Sequence, residues 1–371
     1  MMQAARKFVL AINAGSSSMK LALYEFAGRT ARCVAKWNGA QDDMALDTLF
    51  ARLEANGERA PAAVGHRIVH GGPHHAAPAF IDEKLLTELE DAVPFAPLHL
   101  PAALAAIEAI RKRLPGVPQI ACFDTAFHTS MPEKARRFPL PRHFDEQGVR
   151  RYGFHGLSYE YIVSELGAAI PSRVVIAHLG SGASLVAVRD GRSVDTTMGL
   201  TPTGGILMGT RTGDLDPGVL LHLARQNELT IDDLQGIVDH ESGLLAIGGT
   251  SDMKVLIERA PGDPRARFAI DMFGYAIRKA IGALAFALGG MDLLVFTGGI
   301  GENAPIVREI ACRDLDAFGI ILDKTKNEHG RGTISHDGSH CAIRVIPTDE
   351  DCIIARHAHA WVEDALHSAP T

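Results

Sequence analysis

The chain has 371 residues, of which 46% are hydrophobic and 22% charged, and its formal net charge is −7. At roughly 150 residues per domain this points to two domains of ordinary globular composition, and the acidic balance argues against a nucleic-acid binder. No stretch approaches the ~20 apolar residues of a membrane span, and five cysteines without a CxxC pair fit reduced thiols rather than a disulfide framework or a zinc site, so a cytoplasmic protein is expected.

The first expected element is a β-hairpin. Apolar runs Phe8–Ile12 and Leu21–Tyr24 flank a polar knot from Asn13 to Lys20 that holds Gly15 and Ser16, Ser17 and Ser18. Hydroxyls and glycine in a turn expose backbone N–H groups that can converge on an anion. Ala62–Gly72 reads as a strand ending in a Gly-Gly-Pro turn. Strand period puts Arg67 and Val69 on one face, and His66, Ile68 and His70 on the other. An arginine beside an apolar residue suits a small carboxylate, because the guanidinium takes the carboxylate in a bidentate pair; a structural salt bridge is the alternative. His66, His70 and His74 have helical spacing, but Gly65, Gly71, Gly72 and Pro73 rule out a helix there, so no zinc site is expected. Leu100–Gly116 reads as a helix stopped by basic residues and Pro115. Pro118–His128 is a buried strand that ends on Asp124, a carboxylate able to bind Mg2+, act as a base or cap the next turn.

The second half repeats the first pattern. Arg173–Val188 is again an apolar run, a Gly/Ser turn and an apolar run, with His178 in the place of Asn13, and Gly180 and Ser181 in the places of Gly15 and Ser16. Two such hairpins half a chain apart suggest duplicated domains facing each other across a cleft. His155, in RRYGFHGLS, and His178 each stand near glycine at an element end. Thr201–Gly218 is dense in glycine and threonine and carries a single arginine, Arg211, which suggests a site loop. Arg265–Gly290 is a long helix leading into Met291–Pro305, read as a buried strand, a Gly-rich turn and a helix start. Gly298, Gly299 and Gly301 would let a ligand approach the backbone, and the following helix would offer its positive N-terminus to phosphate. No loop is a P-loop or a dinucleotide fingerprint: the GxxxxGK[ST] spacing is missing around Gly15, and Leu185 and Ala304 stand where a last glycine is needed. Ile343–Leu366 repeats the strand–loop–helix plan with Asp349, Glu350 and Asp351 in its loop. Such acids hold Mg2+, often through water, or simply enrich a helix N-terminus. Alternating strands and helices make the class α/β.

Together VLAINAGSSSMK, VGHRIVHGG, FDTAFH, RRYGFHG, MGTRTGDLDPG, FTGGIGEN and IPTDED, in this order along nearly the whole chain, resemble the acetate kinase family, the acyl-phosphate-forming branch of the sugar kinase and actin superfamily. The resemblance implies an α/β fold of two duplicated ribonuclease-H-like (actin-like ATPase) domains around an interdomain cleft. Residues 1–127 plus 352–371 would form an N-terminal lobe completed by the C-terminal helix, and 128–351 a nucleotide-binding lobe. It implies reversible phosphoryl transfer from ATP to acetate with Mg2+, for which Mn2+ can substitute, and a homodimer. It places Asn13 and Glu350 in the metal and phosphate region. Arg67 and Arg211 would hold the acyl carboxylate and the phosphoryl in flight, Asp124 would be essential, and His155 would hydrogen-bond the phosphoryl. Lys20, His178, Gly180, Ser181, Gly182, Ser251, Asp252, Met253, Lys254, Gly299, Ile300, Gly301 and Asn303 would meet the nucleotide. Val69, Leu98, Phe154 and Pro202 would line a small acyl pocket.

The chain departs from the family pattern at Leu100, Leu157, Tyr159, Ser181, Gly204 and Lys254. Ser181 shortens one phosphate contact, and Lys254 cannot stack as a guanidinium does. Three other readings compete. A propionate-preferring kinase differs by one methylene, worth only ~1–3 kcal/mol in an apolar pocket. An alcohol or sugar kinase would use Asp124 as general base, but a neutral hydroxyl has no need of two arginines. A non-catalytic actin-like ATP-binding protein would keep the phosphate loops without Arg67, Arg211 and Val69 together.

Overall fold

The computed structural model describes residues 7–14, 19–39, 54, 60–97 and 99–368, apart from the side chains of 227 and 365–368. The first hairpin forms between β1 (Lys7–Ala14) and β2 (Met19–Ala27), with Asn13 opposite Lys20. Its turn, Gly15 to Ser18, lies outside the described residues, as does Leu98. Strands β3 (Thr30–Gly39), β4 (Ala63–Ile68), β5 (Ala79–Phe80) and β6 (Gln119–Phe123) complete a six-stranded sheet of order β3-β2-β1-β4-β6-β5. The second half supplies β7 (Arg173–Leu179), β8 (Ala183–Arg189), β9 (Arg192–Thr196), β10 (Leu293–Thr297), β11 (Gly332–Thr333) and β12 (Ala342–Val345). Their order is β11-β12-β10-β7-β8-β9, the same plan read from the other end.

The likeness extends to detail. Each sheet is an antiparallel three-strand meander, then two parallel strands, then a short antiparallel edge strand. Even the register shift recurs, between Leu23 and Tyr24 in β2 and between Ala187 and Val188 in β8. The inner parallel strands, QIACF of β6 and LLVFT of β10, are buried throughout, as strands covered on both faces must be.

In the first sheet the two faces separate by strand period. Val9 and Ala11 share a core with Tyr24, Ile120, Ile353, Ile354 and Ala358. Leu10 and Ile12 pack instead with Leu21, Leu23, Val64, Ala106 and Ile110. The first face is covered by helix Glu350–Ser368, the second by helix Leu100–Arg113. Gly65 is where the C-terminal helix comes closest: a Cβ there would lie 2.6 Å from Ile354 Cγ2 and 2.8 Å from its carbonyl oxygen. In the second sheet, helix Pro264–Leu288 lies against β7, β8 and β9 and buries Phe273, Ile277, Ile281 and Leu284.

The chain divides into two compact units. One gathers the residues up to Phe127, His155–Tyr161 and the segment from Asp349 onward; the other gathers His128–Phe154 and Ile162–Thr348. Among the described residues no helix is long and apolar enough to cross a membrane.

Two buried histidines, one in each unit, make stability depend on pH. His66 Nε2 donates to Gln119 Oε1 at 2.7 Å, and His128 Nε2 donates to the Phe154 carbonyl at 3.0 Å. Burial lowers both to about 4, partly offset by the hydrogen bonds to Gln119 and to the Phe154 carbonyl. Because these values lie below the unfolded one, the unfolded chain binds protons that the folded chain refuses between about pH 6.5 and 4. The stabilisation is therefore complete above about pH 6.5 and is lost as pH falls toward 4, by roughly 3 kcal/mol for each histidine. Urea midpoints should fall between pH 7.5 and 5, and His128→Asn should flatten the curve. A midpoint independent of pH over that range would contradict both assignments.

Candidate active site

In the first unit a continuous chain of side chains runs from Asp124 to Glu350. Strand β6 delivers Asp124 one residue past its end, and the Asp124 N–H donates to the Ile68 carbonyl at 2.9 Å. On the neighbouring strand β4, Arg67 donates to Asp124 Oδ2 from Nε at 3.0 Å and from Nη2 at 2.6 Å. Arg67 Nη1 donates to Asn13 Oδ1 at 3.1 Å, and Asn13 Nδ2 donates to Glu350 Oε2 at 3.1 Å. Three strand ends and the first residue of the C-terminal helix thus meet. Asp124 is fully buried, and its Oδ1 has no hydrogen-bond partner among the described residues. The Arg67 side chain keeps 16% exposure, so the guanidinium can still meet a ligand.

The electrostatics follow. Burial alone would lower Arg67, but the carboxylates of Asp124 and Glu350 outweigh it and hold the guanidinium above its ordinary value. Burial raises Asp124 to about 6 against the pull of Arg67, and Glu350 adds to the rise. A carboxylate committed to an arginine in this way fixes the cation in place.

His155 stands next to this chain under strain. Its φ is 59°, which is uncommon outside glycine, and the residue is largely buried. The reason is the next residue. Gly156 N–H donates to the Asp124 carbonyl at 3.0 Å, and a Cβ on Gly156 would lie 2.1 Å from that oxygen. Only glycine permits this approach, and it sets His155 at the start of helix Gly156–Leu166. Gly156→Ala should therefore displace Asp124 and His155 together and lower kcat about 10²-fold, as misplacement near 1 Å does. Steady-state kinetics on a variant with native circular dichroism checks this; wild-type turnover would mean that the spacing is unimportant.

The acidic cluster separates into different roles. Strand β12 ends at Val345, so Asp349 does not follow it directly but stands at the start of a helix. Its carboxylate accepts from Cys352 N–H at 3.2 Å, from Tyr24 Oη at 3.0 and 3.1 Å, and from Lys36 Nζ at 3.0 Å. Asp349 is thus spent on a helix cap and an anchor. Burial raises Asp351, and Glu350 alone of the three joins Asn13 and Arg67. Val69, expected on the face of Arg67, lies beyond the end of β4 and is buried. Lys20 is exposed.

In the second unit, Gly180–Gly182 forms the turn between β7 and β8, with Gly180 N–H donating to the Gly182 carbonyl at 3.0 Å and His178 opposite Ser184. Gly209 joins this turn to a later segment: its N–H donates to the Ser181 carbonyl at 3.0 Å, and a Cβ on it would lie 3.3 Å from Ser251 Cβ. Asp252 caps helix Met253–Arg259 by accepting from Lys254 N–H at 2.8 Å; Met253 is buried and Lys254 exposed. Arg211 Nη1 donates to the carbonyl of Pro202, itself buried, at 3.2 Å. The loop around Arg211 is held by Thr210 Oγ1 on the Asp239 carbonyl at 2.8 Å and Thr212 N–H on the Val238 carbonyl at 3.0 Å. Phe154 is buried in this unit.

The Gly-rich segment after β10 is not the turn expected from its glycines. Gly298–Asn303 is a short helix that starts directly after the strand. Gly298 permits the corner with φ 77°, where a Cβ would lie 2.8 Å from the Leu179 carbonyl. Gly299 is exposed, with nothing among the described residues within 4 Å of a Cβ, and Asn303 Nδ2 donates to the Gly299 carbonyl at 2.9 Å.

Asn13 and Glu350 offer a hard cation only oxygen donors. Among the described residues no group of three or more His, Cys, Asp or Glu is placed to hold a metal. This pair therefore fits an ion that keeps most of its water, as Mg2+ does.

Comparison with known proteins gives the site its lineage. The sequence model of the Acetokinase family matches residues 37–356. An acetate kinase from Rhodopseudomonas palustris (strain ATCC BAA-98 / CGA009) is 44% identical over 387 residues, covering 94% of this chain and 97% of that protein. The crystal structure of Porphyromonas gingivalis acetate kinase superposes with a TM-score of 0.82 at 35% identity, over 95% of this chain and 99% of that one. A propionate kinase from Francisella tularensis subsp. tularensis SCHU S4 superposes with a TM-score of 0.87 at 32% identity, over 95% and 99%. With this match along most of its length and the duplicated sheet plan, the chain belongs to the acetokinase family.

Proposed function

We propose that the protein is an acetate kinase that transfers the γ-phosphoryl group of ATP reversibly to acetate, with Mg2+, giving acetyl phosphate and ADP. The observation that carries this reading is the Asp124–Arg67–Asn13–Glu350 chain, a cation fixed beside oxygen donors suited to a hydrated Mg2+. The names of the relatives support it.

The chemistry is consistent with these groups. Acetate, with a pKa near that of Asp or Glu, roughly 4, is already an anion at pH 7. No general base is needed, so Asp124 serves to hold Arg67 rather than to take a proton. A carboxylate oxygen attacks the γ-phosphorus, the bond to the bridging oxygen breaks, and its electron pair leaves with ADP. The obstacle is repulsion between an anion and a polyanion. Arg67 relieves it at the acetate carboxylate, and Arg211 offsets charge on the phosphoryl oxygens, where a loose in-line transition state spreads it. His155 donates a hydrogen bond to the phosphoryl. Mg2+, held through water by Asn13 and Glu350, would supply further positive charge at the phosphates. His178, the Gly180–Gly182 turn, Ser251–Lys254 and the Gly298–Asn303 helix take the nucleotide. Val69, Phe154 and Pro202 take the methyl group, with Leu98.

A hydroxamate assay with acetate, propionate and butyrate, each with ATP, GTP or pyrophosphate, tests the reading. Acetate with ATP should give the highest kcat/KM. The likeness to the propionate kinase favours propionate as the second reading, and a higher kcat/KM for propionate would select it. Absence of hydroxamate with every acid would reject both. We place the protein in the cytoplasm, in keeping with five free cysteines, and propose a homodimer. Helix Pro264–Leu288 exposes Phe268, Met272 and Tyr275 along one side, the kind of apolar surface that marks an interface. A single-chain mass by light scattering would reject the dimer.

A further inference from the structure

Gly298–Asn303 is six residues long and contains three glycines. Glycine disfavours helix by about 1 kcal/mol relative to alanine, and one isolated turn does not persist. The helix is held by two side chains with no part in the mechanism above, its own Glu302 and Arg308 of the next helix, Pro305–Cys312. At its start, Glu302 Oε1 accepts from Gly298 N–H at 3.0 Å and from Thr348 N–H at 3.3 Å. One oxygen thus ties the corner after β10 to the segment that leaves β12. At its end lies Arg308, with 0% exposure. Its Nη1 donates to the carbonyls of Gly301 at 2.8 Å and Glu302 at 3.0 Å, while Nε and Nη2 donate to Asn327 Oδ1 and the Asn327 carbonyl, both at 2.7 Å.

Burial lowers Arg308 from its ordinary value. Its acceptors are carbonyl oxygens, and among the described residues no ion pair offsets the burial of its charge. Such an arrangement is a poor source of stability and an effective way to fix the direction of several carbonyls at once.

We infer that Glu302 and Arg308 are positioning residues for nucleotide binding: they hold in place the helix that presents Gly299, Ile300 and Asn303. The inference rests on the assignment of that helix to the nucleotide made under Proposed function. Glu302 is only partly buried, so its replacement leaves the core of the second unit intact. The test is ADP binding to the full chain by calorimetry, with KM for ATP and acetate measured alongside, in wild type, Glu302→Ala, Glu302→Gln and Arg308→Lys. Glu302→Ala should raise the ADP Kd and the ATP KM about tenfold or more, leaving the acetate KM within about twofold. Glu302→Gln, which keeps an oxygen acceptor, should recover most of the loss. Arg308→Lys should also weaken ADP, because an ammonium cannot span the four acceptors; if that variant does not fold, the Glu302 pair decides. An unchanged ADP Kd in Glu302→Ala overturns the inference, and so does an equal rise in both KM values. Wild-type protein that binds no ADP would instead overturn the assignment of the helix to the nucleotide.

Discussion

Arg67→Ala is expected to lower kcat by about 10³-fold or more, the cost of losing one charge-stabilising group in phosphoryl transfer, while the KM for ATP changes only a few-fold. The guanidinium does two things at once. It holds Asp124 through two nitrogens and Asn13 through the third, and on the proposed mechanism it meets the acetate carboxylate. Lysine offers one point charge in place of this fork, so Arg67→Lys should recover little. Removing the arginine also strands Asp124 in a fully buried position, and breaking such a pair costs roughly 3–5 kcal/mol. A loss of activity is therefore informative only in a variant that still folds and still binds ADP. Turnover within tenfold of wild type in such a variant would remove Arg67 from the mechanism.

Arg211→Ala should bring a kcat loss of similar size, about 10³-fold, with a smaller effect on stability. Arg211 Nη1 donates to the Pro202 carbonyl and to Met208 Sδ, whereas Arg67→Ala takes the arginine away from the fully buried Asp124 carboxylate. The pair of variants separates charge at the reaction from support of the fold: both should lose turnover, but Arg67→Ala should show the larger fall in Tm. Single-turnover kinetics with saturating ATP would check that the defect lies in the transfer step. A variant impaired only in ATP KM would relocate Arg211 to nucleotide binding.

What could be read from the residues depended on whether a pattern or a distant partner decided the outcome. The hairpins at β1–β2 and β7–β8 were legible because an apolar run, a small-residue turn and a second apolar run constrain the backbone locally. Helices Leu100–Arg113 and Pro264–Leu288 carried their own stop signals. The strand over Ala62–Gly72 was legible in type but closes at Ile68, because the glycines after it turn the chain. The Gly-rich segment after β10 differs from its expected turn for a physical reason: Glu302 accepts from its first N–H and Arg308 donates to the Gly301 carbonyl, contacts that glycine content alone does not reveal. The acidic run after β12 looked uniform, yet Asp349 is claimed by Tyr24 and Lys36, more than three hundred residues away in the chain. Gly156 gave no signal of its importance, since the oxygen it approaches belongs to Asp124.

The C-terminal helix has a consequence for how the protein is made. It covers one face of a sheet whose strands are synthesised first, so that sheet waits, half uncovered, until nearly the whole chain has left the ribosome. Val9, Ala11, Tyr24 and Ile120 are apolar surface during that interval, a state open to chaperones and to aggregation. A chain truncated before Glu350 should thus be cleaved by protease first within β1 to β6, at the end opposite the cut, whereas resistance there would mean that the early strands fold without their late-arriving cover.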